Sequence, residues 1–447
     1  MRTGIVSSKF IVSRMRIDGS FHLSEGMSVR KRIESSPYSV SHISDVTSSV
    51  YCPGIFRRNY VASGVPFLGG GDIQKHELDS GKYLRKSTTP NYEILQVKEG
   101  WTLVTCGGTI GDAVYSTSLH EKCWLSQHVM RVIPNSKIKE GMLFAYLGSK
   151  YGKLLLTTDT YGSVIPTLNA SSIKNIPIPN FPEPFQLKVD SLIKESAHLR
   201  EESVTALKDS HKLIESHFPI SIKNTTSGRV SSKMIIGSQL HRMEASYHLA
   251  SGKQYDEFIK ASFSWKSLGD VSQAIWRPGI VSRMYVKDGV TFMGGTDIFL
   301  AVPDSEKRLS RKAPNLDDYL IQEGWILLPR SGTIGDVVFT NEQHAQKLVS
   351  EHVIRIIPNN ILRRGFVFSF LSSKIGRAMI QRPIFGSVIQ HVEPPLLAVI
   401  PIPIFEEEEM EKIASLAEYH RECWGKAAKK ELEAISLVEQ EIEKWNS

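Results

Sequence analysis

One ordered set of short segments runs through this chain twice, and that repeat limits what it can fold into more than any composition does. Gly108-Thr-Ile-Gly-Asp112 returns as Gly332-Thr-Ile-Gly-Asp336. Outward from it, Arg16-Ile-Asp-Gly-Ser-Phe-His-Leu23 answers to Arg242-Met-Glu-Ala-Ser-Tyr-His-Leu249, Pro53-Gly-Ile55 to Pro278-Gly-Ile280, and Gly69-Gly70 with Asp72 to Gly294-Gly295 with Asp297. Glu99-Gly-Trp101 then pairs with Glu323-Gly-Trp325, His128-Val129 with His352-Val353, and Ile176-Pro-Ile-Pro179 with Ile400-Pro-Ile-Pro403. The offset stays between 224 and 226 residues throughout. One domain made twice accounts for the whole series.

Within each copy, β-rich runs such as 101–104, 113–115 and 129–133 are separated by Gly and Asn turn signals and precede a helix expected near 143–156. The repeated unit is therefore expected to be α+β. After each Ile-Pro-Ile-Pro segment the pattern changes to a long charged helix. In the first, Phe185, Leu192, Leu199, Ala206 and Leu213 recur every seven residues, with Val189, Ser196, Ser203 and Ser210 at the intervening heptad sites. In the second, Met410, Ala414, Ala417, Trp424, Ala428, Ile435, Val438, Ile442 and Trp445 form a comparable stripe. The expected order is a repeated domain over 1–182, a helix over 183–218, a linker over 219–233, the second domain over 234–405 and the second helix over 406–447. Each helix has a seam suited to pairing with another long helix, and an antiparallel pair is expected.

Charge separates these parts. The net charge is +7, distributed as +8 over 1–180, +1 over 181–233, +4 over 234–405 and −6 over 406–447. A positive balance held by two similar domains suits a polyanion such as DNA or RNA, although a surplus of this size also serves solubility alone. Duplication favours the first reading, because two modules at a fixed separation suit a bipartite site. The four cysteines, Cys52, Cys106, Cys123 and Cys423, show no C-x-x-C spacing, so neither a disulfide framework nor a zinc site is indicated. No segment approaches about 18 uninterrupted apolar residues. A reduced, cytoplasmic protein without membrane spans is expected.

Two such domains, each followed by a long helix, with the Gly-Thr-Ile-Gly turns, Gly162-Ser-Val164 and Gly386-Ser-Val388 near the domain ends, and an Ile-Pro-Ile-Pro run leading into each helix, resemble the specificity (S) subunit of type I restriction-modification enzymes. The resemblance spans almost the whole chain. It implies two target-recognition domains, each reading one half of a split double-stranded DNA target, with the paired helices as a coiled-coil spacer. It also implies methyltransferase subunits docked on the helices, two of them expected, which would bring S-adenosylmethionine, and a translocating endonuclease subunit that joins some assemblies. This chain itself would carry no cofactor and no metal. The competing class is a two-domain scaffold that binds protein, DNA or RNA in another defence assembly.

Catalytic motifs are not complete anywhere in the sequence. The only Pro-Pro, in Glu393-Pro394-Pro395-Leu396, lacks the Asn/Asp and aromatic flanks of an adenine methyltransferase. Gly148-Ser-Lys-Tyr-Gly152-Lys153 is one residue short of a P-loop and reads instead as part of the helix after Leu143. Asp304, Glu306 and Lys307 sit too close together in sequence for a nuclease metal cluster. His120 and Cys123 are a metal pair without further ligands nearby, and the repeated His128 and His352, without a matched acid or nucleophile, are expected to pack or hydrogen-bond in each domain. A non-catalytic recognition chain is expected.

Contacts to DNA fall into two groups. Arg58 and Arg283 follow the Pro-Gly turns at equivalent positions and suit backbone anchoring, as do the glycine turns with Thr109 and Thr333, although those turns equally suit a plain fold requirement. Ser163 and Ser387 of the Gly-Ser-Val segments join them. Base reading is expected where the copies differ within a matched frame: Cys52 against Arg277, Arg57 against Ser282, Cys106 against Arg330, Gln127 against Glu351, and Pro166-Thr167 against Gln390-His391. Further basic candidates are Lys75, Arg85, Lys86, Arg308, Arg311, Lys312 and Arg382.

Overall fold

The computed structural model describes residues 24–89, 91–158, 167–222, 227–236, 240–280 and 283–446, with Ser8 and His22. It divides into two units, one of 1–201 with 426–447 and one of 202–425. Each unit takes part of both long helices, Glu183–Ser216 and Glu407–Glu443.

In the first unit a four-stranded antiparallel sheet runs in the order Thr47–Tyr51, Val129–Pro134, Thr102–Gly107, Thr109–Tyr115. Its register sets Val50 beside Val132 and Leu103 beside Arg131 on one side and Val114 on the other. A second sheet orders Tyr60–Val61, Tyr83–Leu84, Val65–Leu68 and Trp124–Leu125, with the last pair parallel. The second unit repeats this plan. Its four-stranded sheet is Ser272–Trp276, Val353–Pro358, Ile326–Pro329, Val338–Phe339, and its second sheet is Arg308–Leu309, Tyr285–Met293, Leu348–Val349. The expected strands are therefore present in both copies, as mixed helix and strand domains.

The single helix expected near 143–156 is two helices, Glu140–Gly148 and Lys150–Thr158. Ser149 breaks it. Its hydroxyl donates to the Tyr146 carbonyl at 2.6 Å and accepts the Gly152 N–H at 3.1 Å, closing one helix and capping the next. Ser373 does the same between Phe370 and Gly376 in the second unit, at 2.7 and 3.3 Å. A Cβ on Gly152 would lie 2.2 Å from the Tyr146 carbonyl oxygen, and one on Gly376 2.1 Å from that of Phe370. The glycines in the P-loop-like stretch thus serve helix packing.

The long helices pack together inside each unit. In the first unit Ser196 donates to the Ala427 carbonyl at 2.7 Å, and Arg200 pairs with Glu431 at 2.5 Å. In the second, the Ser203 hydroxyl donates to the His420 carbonyl at 2.8 Å, while His217 meets Glu409 at 2.7 Å. Rising numbers on one helix meet falling numbers on the other, so the pair is antiparallel. The buried positions of the first helix are Val189, Ile193, Ser196 and Arg200 in the first unit, then Ser203, Leu207, Ser210 and Ile214 in the second. This alternation by four and three is a heptad seam. The expected series at Phe185, Leu192 and Leu213 flanks that seam, because those side chains are half-buried against the domain cores. Serines at every seventh position allow close approach of the partner helix and each finds a hydrogen-bond partner. No helix among the described residues is long and apolar enough to cross a membrane.

Candidate nucleic-acid interface

The Gly-Thr-Ile-Gly-Asp segments split into an open head and a buried tail. Gly108 and Gly332 adopt left-handed backbone (φ 86° and 81°), and a Cβ there would meet nothing within 4 Å. Gly111 and Gly335 are also left-handed (φ 87° and 114°), but they back onto helices: their Cβ atoms would lie 3.0 Å from Thr157 and 2.9 Å from Arg377. Asp112 then pairs with Lys153 at 2.8 Å, and Asp336 with Arg377 at 2.7 Å. The tail is a fold device in both copies, and the head is a surface turn free to approach a ligand.

Beneath that turn, a buried arginine organises each domain. Arg131 is fully buried and donates to the carbonyls of Ser126, Val129, Leu95 and Leu125 at 2.5 to 3.1 Å. Arg355, equally buried, donates to those of Ser350, Val353 and Val349. Burial pulls both guanidiniums down to about 10, still cationic at neutral pH. They fix the loops over 125–129 and 349–353, which present Gln127-His128 and Glu351-His352. The sequence carried the signal, an arginine inside the matched apolar runs 129–133 and 353–357, without its role being read.

On these loops the domains present related groups. Arg58 donates to Gln127 Oε1 at 2.7 Å and lies 5.2 Å over the Phe67 ring. Arg283 donates to Glu351 at 2.6 Å and lies 5.2 Å over Phe292. Burial pushes the Glu351 carboxyl up, but its backbone hydrogen bond and Arg283 outweigh this and hold it below the usual carboxylate range. His128 and His352 do not pack inside as expected; both rings are exposed beside these pairs.

Next to them the domains diverge. In the second, Arg277 and Arg330 converge on Glu393 at 3.0 and 2.6 Å, and their hydrogen bonds overcome burial to hold that carboxyl low. In the first, the equivalent positions put the Cys52 and Cys106 sulfurs 3.2 Å apart. The bond between them pushes the Cys52 thiol up and pulls Cys106 down.

A cavity of 260 Å³ opens in the first domain, lined among others by Arg58, Thr109, Tyr60, Lys82, Gly108 and His128. Of these, Tyr60, Lys82 and His128 had not been chosen from sequence as DNA contacts. Arg57, Arg85, Arg311, Lys312, Thr333, Ser387 and Gln390 are exposed. Lys75 pairs with Asp72 at 2.9 Å, Lys86 lies over Tyr92 at 4.9 Å, and Arg308 faces Asp304 at 3.5 Å. Arg382 turns into its unit, 3.3 Å from Asp256 and 4.2 Å over Tyr247. Ser163, Pro166 and Ser282 lie outside the described residues.

His120 is buried, its Nε2 3.4 Å from the Ile73 carbonyl and its Nδ1 3.1 Å from Thr117 Oγ1. His344 makes the matching contacts with Ile298 and Asn341 at 2.9 and 2.8 Å. The sequence reading had grouped His120 with Cys123 and missed this repeat. Among the described residues no group of three or more His, Cys, Asp or Glu could hold a metal ion.

Comparison with known proteins adds the family. No curated protein matches the chain. Among solved structures, it is similar to the S subunit of a type I restriction-modification system from M. genitalium (11% identity, 92% of this chain and 96% of that chain, TM-score 0.36). It is also similar to the HsdS subunit from Thermoanaerobacter tengcongensis (14%, 91% and 96%, 0.29). A third is a chain described in work on complex assembly and conformational transition of the type I R-M system (15%, 92% and 97%, 0.29). The type I restriction modification DNA specificity domain matches residues 38–184 and again 265–433, once on each copy of the repeat. The chain belongs to the type I restriction-modification DNA specificity family, as a specificity subunit with two repeated recognition domains.

Proposed function

We propose that each recognition domain reads one half of a bipartite double-stranded DNA target, and that the antiparallel helices set the spacing and dock methyltransferase subunits, two of them. Those subunits bring S-adenosylmethionine and perform methyl transfer in the cytoplasm, and an endonuclease subunit adds cleavage where one is present. The observation that carries the reading is a shared frame with changed contacts. Both domains hold an arginine on an aromatic ring beside an exposed histidine, yet its acceptor is Gln127 in one and Glu351 in the other. Gln suits an adenine edge and Glu a cytosine edge. The exposed Ile55 and Ile280 on the adjoining Pro-Gly loops add a matched apolar contact to each face.

Arg277, Arg330 and Gln390 remain base-reading candidates in the second domain, with Glu393 orienting the two arginines. Arg57, Arg85, Lys86, Arg311 and Lys312 are exposed cations that supply backbone attraction. The test is the methylome of cells expressing the chain with its methyltransferase, against cells lacking this chain alone. Loss of methylation at one bipartite motif is expected. Intact methylation would overturn the reading in favour of a scaffold.

A further inference from the structure

The cavity in the first domain has thirteen lining positions, and eleven carry the same residue type in the second repeat. The departures are Gly71, replaced by Thr296, and Gly107, replaced by Ser331. Immediately beside it the copies disagree, at Cys52 and Arg277, Cys106 and Arg330, Gln127 and Glu351. A lining kept in both copies next to contacts that changed must serve something common to both half-sites.

The local geometry is kept as well. Phe67 accepts Lys82 into the same backbone pairing, N to O at 2.9 Å, as Phe292 does Lys307. Asp72 and Asp297 each accept the N–H of the preceding glycine, Gly69 or Gly294, at 3.0 and 2.8 Å. Arg58 and Arg283 lie at the same height over their rings.

We infer that this site binds a backbone phosphate of the DNA duplex, through Arg58 and Lys82 with the Gly108 turn in the first domain and through Arg283 and Lys307 with the Gly332 turn in the second. The inference rests on the DNA reading above and assigns its sequence-independent part. Two cations line the wall, and the one acid, Asp72, is already neutralised by Lys75 at 2.9 Å. The left-handed glycine leaves its flank open, so a phosphate oxygen can approach main-chain dipoles that a side chain would screen. Arginine stacked on an aromatic ring is presented at fixed orientation, which suits a tetrahedral anion with several acceptors. The phosphate is the part of a duplex that is the same in any half-site.

Lys82 and Lys307 are exposed, so Lys82→Gln and Lys307→Gln test the site without disturbing a core. The experiment measures binding of the full chain with its methyltransferase to a duplex carrying the methylated motif and to a scrambled duplex, across a salt series, with thermal midpoints as the check on folding. Each variant is expected to lower affinity for both duplexes by the same factor, roughly five- to ten-fold, and to reduce the slope of log affinity against log salt by about 0.9. The methylated motif stays unchanged. Unchanged affinity and slope would overturn the phosphate site while leaving the specificity reading intact, and a changed motif would reassign the cavity to base reading. A wild-type complex with no preference between the duplexes would sink the underlying reading instead.

Discussion

Arg283 holds Glu351 at 2.6 Å in one domain at the position where Arg58 holds Gln127 at 2.7 Å in the other. One arginine is thus kept and its acceptor changed from amide to carboxylate. The paired acceptors differ by one atom in shape but oppositely in what they can ask of a base, since an amide both donates and accepts whereas a carboxylate only accepts.

Gln127→Glu and Glu351→Gln keep each arginine paired and alter only that offer. The expected outcome is a changed base at one position of the half-site read by the altered domain, worth about 1 to 3 kcal/mol of discrimination, with the other half-site untouched. Methylome sequencing of cells carrying each variant checks this. An unchanged motif would assign the pair to holding its loop.

Replacing Arg131 or Arg355 by methionine removes the donor that several buried carbonyls share. Each variant is expected to lose about 3 to 5 kcal/mol, well beyond a typical surface change. Denaturant midpoints measure it, and a loss below about 1 kcal/mol would show that the loops hold without the guanidinium.

Acid acts through two sets of groups. Burial lowers His120 and His420 to about 4 and His344 to about 3. The unfolded chain takes up these protons near pH 6.5 and the folded one does not, so stability falls as pH drops from about 6.5 toward 4. Glu393 is held below its ordinary value, so its contribution is present above about pH 4.3 and is lost as pH falls through the lowered folded value. Glu393→Gln is expected to cost about 1 to 2 kcal/mol at pH 7. That difference from wild type should shrink only at the acidic end of a melting series; a constant difference down to the lowest pH would contradict the assignment.

Ser203 has no room around it. It is fully buried, with its hydroxyl 2.9 Å from His420 Nδ1 and bonded to the His420 carbonyl. Ser203→Leu is expected to lower stability by about 1 to 3 kcal/mol through overpacking, read as a lower thermal midpoint. A neutral result would mean the helix pair is looser there than its contacts imply.

The repeat made the fold legible, because matched segments such as 101–104 and 325–328 had to be strands of the same sheet in each copy. The long helices were legible from their seven-residue period, although Val189 and Ile193 rather than Phe185 and Leu192 form the inner seam. That choice depends on which face the domain core already occupies, which no local pattern states. Site chemistry was legible where both copies keep it, as with Arg58 and Arg283. Lys82 and His128 were missed because they converge on the cavity from separate segments, one beside a short edge strand and the other on a loop. Pairing of Arg277 and Arg330 through Glu393 was hidden for the same reason, since the three come from positions more than 50 residues apart.

The first unit's core includes Ala434, Val438 and Ile442, which lie more than 200 residues downstream of every other residue in that core. During synthesis the ribosome must therefore finish the entire second unit before the first can close. A nascent chain stalled between the two halves exposes an apolar groove where the second helix belongs, so folding of the earlier half waits on the later one, and mid-length products are expected to be the aggregation-prone species.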